Sequence, residues 1–320
     1  MYIHNNVKSY FIQRDIHSIH YTVSGNDDGL PVVVIHGGPG GGMSMDSLKF
    51  FDPDFYKVIM IDQRGCGKST PSASIVNNTT QDLIEDINAI RQALSINTWI
   101  VFGGSWGTTL ALTYAQKYPE NVKKLVLRGV FLGRQADLEW LYGPNGASNF
   151  FYDEYQNFTK YANTQNVDEL IKFYHKQINS NDSVISQKSA QMWADWEMSI
   201  VTLIPTKSPI ENIQDIINFS QMETHYFLNN CFLKENQIMN NIDKIKHIPM
   251  IIVHGRYDID CRPSAAFLLA DSVEKAQLAI IEASGHSQRE ENIAKELYLI
   301  MEEEKDKSAA FHYHYTNWNI

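Results

Sequence analysis

A mostly parallel α/β sheet with helices on both faces, interrupted by a helical insertion, is the fold class this sequence predicts. Three observations carry that expectation. Short apolar, β-branched runs recur at Pro31–His36, Tyr56–Asp62, Thr98–Phe102 and Val122–Gly129, as in strands buried on both faces. Helical spacing fills the gaps between them. From residue 131 to residue 248 the rhythm stops, and strand–helix alternation resumes only at Pro249–His254.

Taken in order, residues 7–24 alternate polar and apolar, which predicts an antiparallel strand pair at the sheet edge. Leu83, Ile87, Ile90 and Leu94 share one helical face, with Thr79 or Thr80 available as N-cap. Thr108–Lys117 predicts a second helix. The central segment is rich in Trp, Tyr, Phe and Asn at helical spacing, as at Leu170, Phe173, Tyr174 and Gln177. After it, Pro263–Asp271, Gln277–Glu282 and Glu290–Met301 continue the alternation. The expected division is a sheet domain at 1–130 and 249–320 and a helical cap at 131–248. The tail 311–320 is aromatic but aperiodic.

Composition narrows the partners. Hydrophobic residues make up 43% and charged residues 20%, enough apolar side chains for a large core. A net charge of −10, from 37 acids and 27 bases, argues against nucleic acid and anionic membranes, since both need clustered positive charge. No apolar run approaches the roughly 18 residues of a membrane span. The N-terminus has no basic and apolar leader pattern. Cys66, Cys231 and Cys261 are an odd number and lack metal-ligand spacing, which fits reduced thiols in the cytoplasm. No metal or cofactor is expected.

The chemistry concentrates around Ser105. It sits in Gly103-Gly104-Ser105-Trp106-Gly107, between a strand-like run and a helix-like one, the setting of a nucleophile elbow. A serine hydroxyl is a weak nucleophile and needs a positioned base held by a third group. The partners in this arrangement follow in the order Ser, acid, His. Asp258, in Gly255-Arg256-Tyr257-Asp258, and His286, in Ser284-Gly285-His286-Ser287, each lie just past a strand, at the same sheet end as Ser105. Asp260 is a rival for the acid. His36-Gly37-Gly38-Pro39-Gly40 also follows a strand, and the N–H groups of Gly38 and Trp106 would form an oxyanion hole. In Asp62-Gln63-Arg64-Gly65-Cys66-Gly67-Lys68-Ser69, Asp62 and Arg64 read as loop braces, and Cys66 lacks an activating partner.

These motifs resemble those of the proline iminopeptidases, a branch of the α/β-hydrolase fold. HGGPG (36–40), DQRGCGKS (62–69), GGSWGTTLAL (103–112), LRGVF (127–131), GRYD (255–258) and SGHS (284–287) carry the resemblance, which runs from about residue 5 to about residue 303. It implies a serine exopeptidase that releases N-terminal proline from short peptides through an acyl-enzyme. It also implies that Glu197, in Met192-Trp193-Ala194-Asp195-Trp196-Glu197, and Glu223, in Gln221-Met222-Glu223, bind the substrate's free amine. Phe131 matches the family's pyrrolidine pocket, with Arg128 beside it. The chain carries Trp140-Leu141-Tyr142 where members often have Trp-Tyr-Tyr, so Leu141 replaces one aromatic wall. The alternatives are an ester, lactone or less selective aminoacyl amide hydrolase of the same fold, and a non-enzymatic ligand receptor.

Overall fold

Alternation of side chains along the strands explains the layering. In β3 (Leu30–Ile35), β4 (Tyr56–Ile61) and β5 (Trp99–Gly104), one set of residues, Val33, Ile35, Ile59, Ile61 and Val101, joins one apolar cluster. The intervening set, Val32, Val34, Val58, Met60, Ile100 and Phe102, joins a second cluster on the opposite face. Both faces are covered, so these strands read as continuous apolar runs. Each fully buried aliphatic side chain contributes roughly 1.5–3 kcal/mol.

The computed structural model describes residues 1–204 and 212–306. Among these residues the chain forms an eight-stranded sheet in the order β1-β2-β4-β3-β5-β6-β7-β8. β1 (Val7–Arg14) and β2 (His17–Gly25) form the expected antiparallel pair, and β2 runs antiparallel to β4. From β4 onward, through β6 (Val122–Arg128), β7 (Met250–Gly255) and β8 (Ala276–Ile281), every pairing is parallel.

α1 (Thr80–Ala93) starts at Thr79, whose hydroxyl accepts from the Asp82 N–H while the Asp82 carboxylate accepts from the Thr79 N–H. Of the two candidate caps the structure uses Thr79, and this reciprocal pair is a capping box. α1, α2 (Trp106–Lys117) and α9 (Pro263–Asp271) cover the first face, and α10 (Glu291–Glu303) covers the second. Between β6 and β7 lie α3 (Gln135–Tyr142), α4 (Tyr152–Ala162), α5 (Val167–Ile178), α6 (Ser183–Ile200), α7 (Ile213–Leu228) and the short α8 (Gln237–Asn240). Their aromatic residues pack on one another. Phe158 stacks on Tyr174 at 4.5 Å and Tyr142 lies 4.8 Å from Trp193.

β3 sits between β4 and β5, so successive strands are added on opposite sides of it. Such a reversal opens a crevice at the strand C-termini where ligands bind. The HGGPG loop leaves β3 there, and the Ser105 turn leaves β5 beside it. The aromatic tail lies outside the described residues.

Candidate active site

Ser105 occupies a backbone conformation that side chains rarely adopt, with φ 58° and ψ −128°. It is held there from both sides. Its N–H donates to the Arg128 carbonyl at 2.8 Å, and its own carbonyl accepts from the Thr108 N–H at 2.7 Å. Trp106, next in line, is the first residue of α2, whose N–H has no acceptor within the helix. Its indole donates to Gln63 Oε1 at 3.0 Å, and Gln63 Nε2 donates to the His36 carbonyl at 2.8 Å. One side chain thus ties the residue after the serine to the start of the HGGPG loop.

That loop is pressed against the helical insertion. A Cβ on Gly40, at φ +105°, would lie 2.9 Å from both Met222 Cβ and the Phe219 carbonyl of α7. Only glycine fits this approach. Asp62 fixes the loop's far end, accepting from the Met43 N–H at 2.7 Å, the Lys68 N–H at 3.0 Å and His20 Nδ1 at 2.7 Å. Arg64 lies deeper, forked onto Asp86 at 2.6 and 2.8 Å. Cys66 is buried, and desolvation pushes its thiol far above the ordinary range.

His286 Nδ1 lies 2.8 Å from Asp258 Oδ2, and Asp260 Oδ2 lies 3.5 Å from the other nitrogen, Nε2. The two aspartates therefore divide the imidazole between them, and Asp258 is the one on the side that a triad acid occupies. Asp258 has two further donors. The Cys261 N–H reaches Oδ1 at 2.7 Å, and His254 Nε2 is 3.2 Å from Oδ2. His254 Nδ1 accepts from the Val130 N–H at 3.2 Å, so its Nε2 carries the hydrogen. Burial alone would raise the Asp258 carboxyl, but the charge of His286 and the histidine hydrogen bonds hold it well below the usual carboxylate range. Burial pulls the His286 imidazole down, while Asp258 and Asp260 more than offset it against Arg128, leaving it above its ordinary value. A Cβ on Gly129 would lie 2.6 Å from His286 Cε1, so this position too must be glycine.

Ser105, His286, Gly38, Arg128, Phe131, Leu141, Glu197 and Glu223 line one cavity of about 170 Å³. Glu197 and Glu223 come from α6 and α7, far apart in sequence and both buried. Each carboxylate has one side-chain donor: Tyr142 Oη to Glu197 at 2.5 Å and Trp193 Nε1 to Glu223 at 2.6 Å. Desolvation, then the nearby charge of Asp260, raises Glu197 to about 8 against the pull of the Tyr142 hydroxyl. Desolvation and the Glu197 charge drive Glu223 up as well.

Arg128 differs from the sequence expectation of a residue simply beside Phe131. Its Nη1 is 2.9 Å from both His286 Nε2 and the His286 carbonyl. Among the described residues, Asp260, Cys261 and His286 bring potential metal-ligating atoms within 4.8 Å of one another. With Asp258 on Nδ1 and Arg128 against Nε2, both ring nitrogens already have partners, so this trio does not fit a resident ion. No helix of the described residues is long and apolar enough to cross a membrane.

Sequence reasoning missed His254, Tyr142 and Gly129 as supports. His254 had a signal, a lone polar residue ending an apolar strand. Tyr142 had none, because its carboxylate partner is 55 residues away.

The strand order, the elbow after β5 and the acid–histidine pair place the chain among the α/β hydrolases. Residues 31–292 match the sequence profile of the alpha/beta hydrolase fold. The chain belongs, more narrowly, to the proline iminopeptidase family. It is 41% identical to the proline iminopeptidase of Arabidopsis thaliana over 296 residues, covering 91% of this chain and 78% of that protein. It is 42% identical to the enzyme of that name from Neisseria meningitidis serogroup A over 278 residues, covering 87% and 89%. Two solved structures share the fold. An esterase from Exiguobacterium antarcticum superposes with TM-score 0.65 at 20% identity, covering 93% of this chain and all of that one. A proline iminopeptidase from Mycobacterium smegmatis superposes with TM-score 0.61 at 18% identity, covering 92% and 97%.

Proposed function

We propose that this protein releases N-terminal proline from short peptides by acyl transfer through Ser105. Ser105 Oγ adds to the carbonyl carbon of the first residue while His286 Nε2 takes its proton. The resulting oxyanion is met by the N–H groups of Gly38 and Trp106. His286 then passes the proton to the departing amine nitrogen as the C–N bond breaks. Water repeats the sequence on the ester, returning a proton to Ser105 and releasing proline. Asp258 keeps the imidazole in the tautomer that can accept and stabilises its cation. No metal or cofactor is needed for these steps.

Two buried carboxylates, each with a single side-chain donor, beside a reactive serine are the observation that carries this reading. A peptide's free N-terminal ammonium supplies the charge and the donors they lack, and a chain interior or blocked terminus does not. Wrong substrates leave buried acids unpaired, a strong basis for discrimination. Phe131, Leu141 and Phe227 give the same cavity apolar walls suited to a pyrrolidine ring. Residues 131–248 act as a cap that admits chain ends, and residues 1–130 and 249–320 form the catalytic domain. Cys66, Cys231 and Cys261 are buried and unpaired, in keeping with a reducing compartment such as the cytoplasm.

A substrate panel tests the proposal: proline arylamide, N-acetylproline arylamide and a small neutral ester. Proline arylamide should be cleaved with far higher kcat/KM than its acetylated form. Equal rates on the two would overturn the amine-recognition reading.

A further inference from the structure

The cavity holds one more acid than a proline terminus can use. Asp260 lines it together with Glu197 and Glu223, and is itself buried. Its carboxylate has no strong partner among the described residues. Cys261 Sγ, a weak donor, is 3.7 Å from Oδ1, and His286 Nε2 is 3.5 Å from Oδ2. Unlike the glutamates, Asp260 comes from the loop after β7, so the acids face the cavity from both the catalytic domain and the cap.

Covalent geometry puts the substrate amine near it. The α-nitrogen lies only about 2.5 Å from the carbonyl carbon, across a single Cα. That carbon must contact Ser105, whose proton goes to His286 Nε2. A carboxylate beside Nε2 therefore borders the space the α-nitrogen occupies. The N–H count then matters. The ring ammonium of an N-terminal proline has two N–H donors, matched by Glu197 and Glu223. A primary ammonium has three.

Resting on the reading of Glu197 and Glu223 as amine ligands, we infer that Asp260 is a third acceptor that extends the enzyme's range to small N-terminal residues with a primary amine, such as alanine. Leu141 works in the same direction, since an aliphatic side chain is less demanding of a ring than an aromatic wall. The chemistry is unchanged: one amide bond is broken, one water is consumed, and the acyl group passes through Ser105.

The test compares kcat/KM for the 4-nitroanilides of L-alanine and L-proline. Wild type should cleave both. In Asp260→Asn the alanine-to-proline ratio should fall roughly ten- to hundredfold, the weight of a hydrogen bond to a charged group. Asp260→Ser carries the same comparison if circular dichroism shows Asp260→Asn misfolded. An unchanged ratio, a parallel loss on both substrates, or no alanine cleavage by wild type would overturn the inference. Glu223→Gln keeps the two readings apart. Loss of both anilidase activities there, with an unchanged ratio in Asp260→Asn, overturns only the role of Asp260. Wild-type rates in Glu223→Gln overturn both.

Discussion

Two groups of buried acids sit a few residues apart in space and are treated in opposite ways. Asp258 receives donors from His286, His254 and the Cys261 backbone, and its carboxyl is held ionised. Glu197 and Glu223 have one side-chain donor each, and burial pushes both toward the neutral form. A group that must keep one role through the whole cycle is saturated by the protein. Groups that must be completed by a substrate are left short. The contrast separates machinery from recognition on physical grounds.

Removing the nucleophile gives the largest effect, because nothing on the recognition side can replace it. Ser105→Ala should fold normally and lose on the order of 10⁴-fold or more in kcat on every substrate. Substantial turnover by a preparation free of wild type would break the machinery half of the comparison.

Asp258→Asn should come next, with losses on the order of 10⁴-fold shared by amine and neutral ester substrates, since the imidazole is left in the wrong tautomer. Asp260→Asn should cost much less on the ester. If that ordering reverses in ester assays, the acid has been assigned to the wrong residue.

Glu197→Gln and Glu223→Gln sharpen the other half. Truncating one side of a desolvated charge pair costs roughly 2–5 kcal/mol, or about 30- to 5,000-fold in kcat/KM on proline arylamide. Ester hydrolysis should fall far less. Equal losses on both substrates would make the glutamates supports of the fold.

The smallest effect is on stability. Glu197 titrates near 8 in the folded protein against an ordinary 4.5, so the folded state holds its proton more tightly than the unfolded chain. Its contribution is complete below about 4.5 and is lost as pH rises through about 8. Thermal midpoints measured from pH 5 to pH 8.5 should therefore fall more steeply in wild type than in Glu197→Gln. Parallel curves would remove the buried-charge explanation.

Legibility in the sequence followed the same divide. Strands β3 to β8 and the elbow were readable because period, glycine placement and chain order are local signals. The choice between Asp258 and Asp260 was not, since two residues in one loop differ only in which ring nitrogen they face. Glu197 and Glu223 looked like helical surface charges, and only the family resemblance singled them out. Their burial arises from packing among α3, α6 and α7. Arg128 was assigned to the pocket wall, but its contact with His286 depends on how β6 and the loop after β8 meet.

One backbone hydrogen bond gives the cap a second office. The His286 N–H donates to the carbonyl of Val201, the residue that ends α6, at 3.1 Å. The helix that carries Glu197 thus also braces the loop that carries the base. A peptide bulky enough to lever α6 off the sheet withdraws that brace and loosens the imidazole. The gatekeeper and the trigger share one lever, and forcing the first unsets the second.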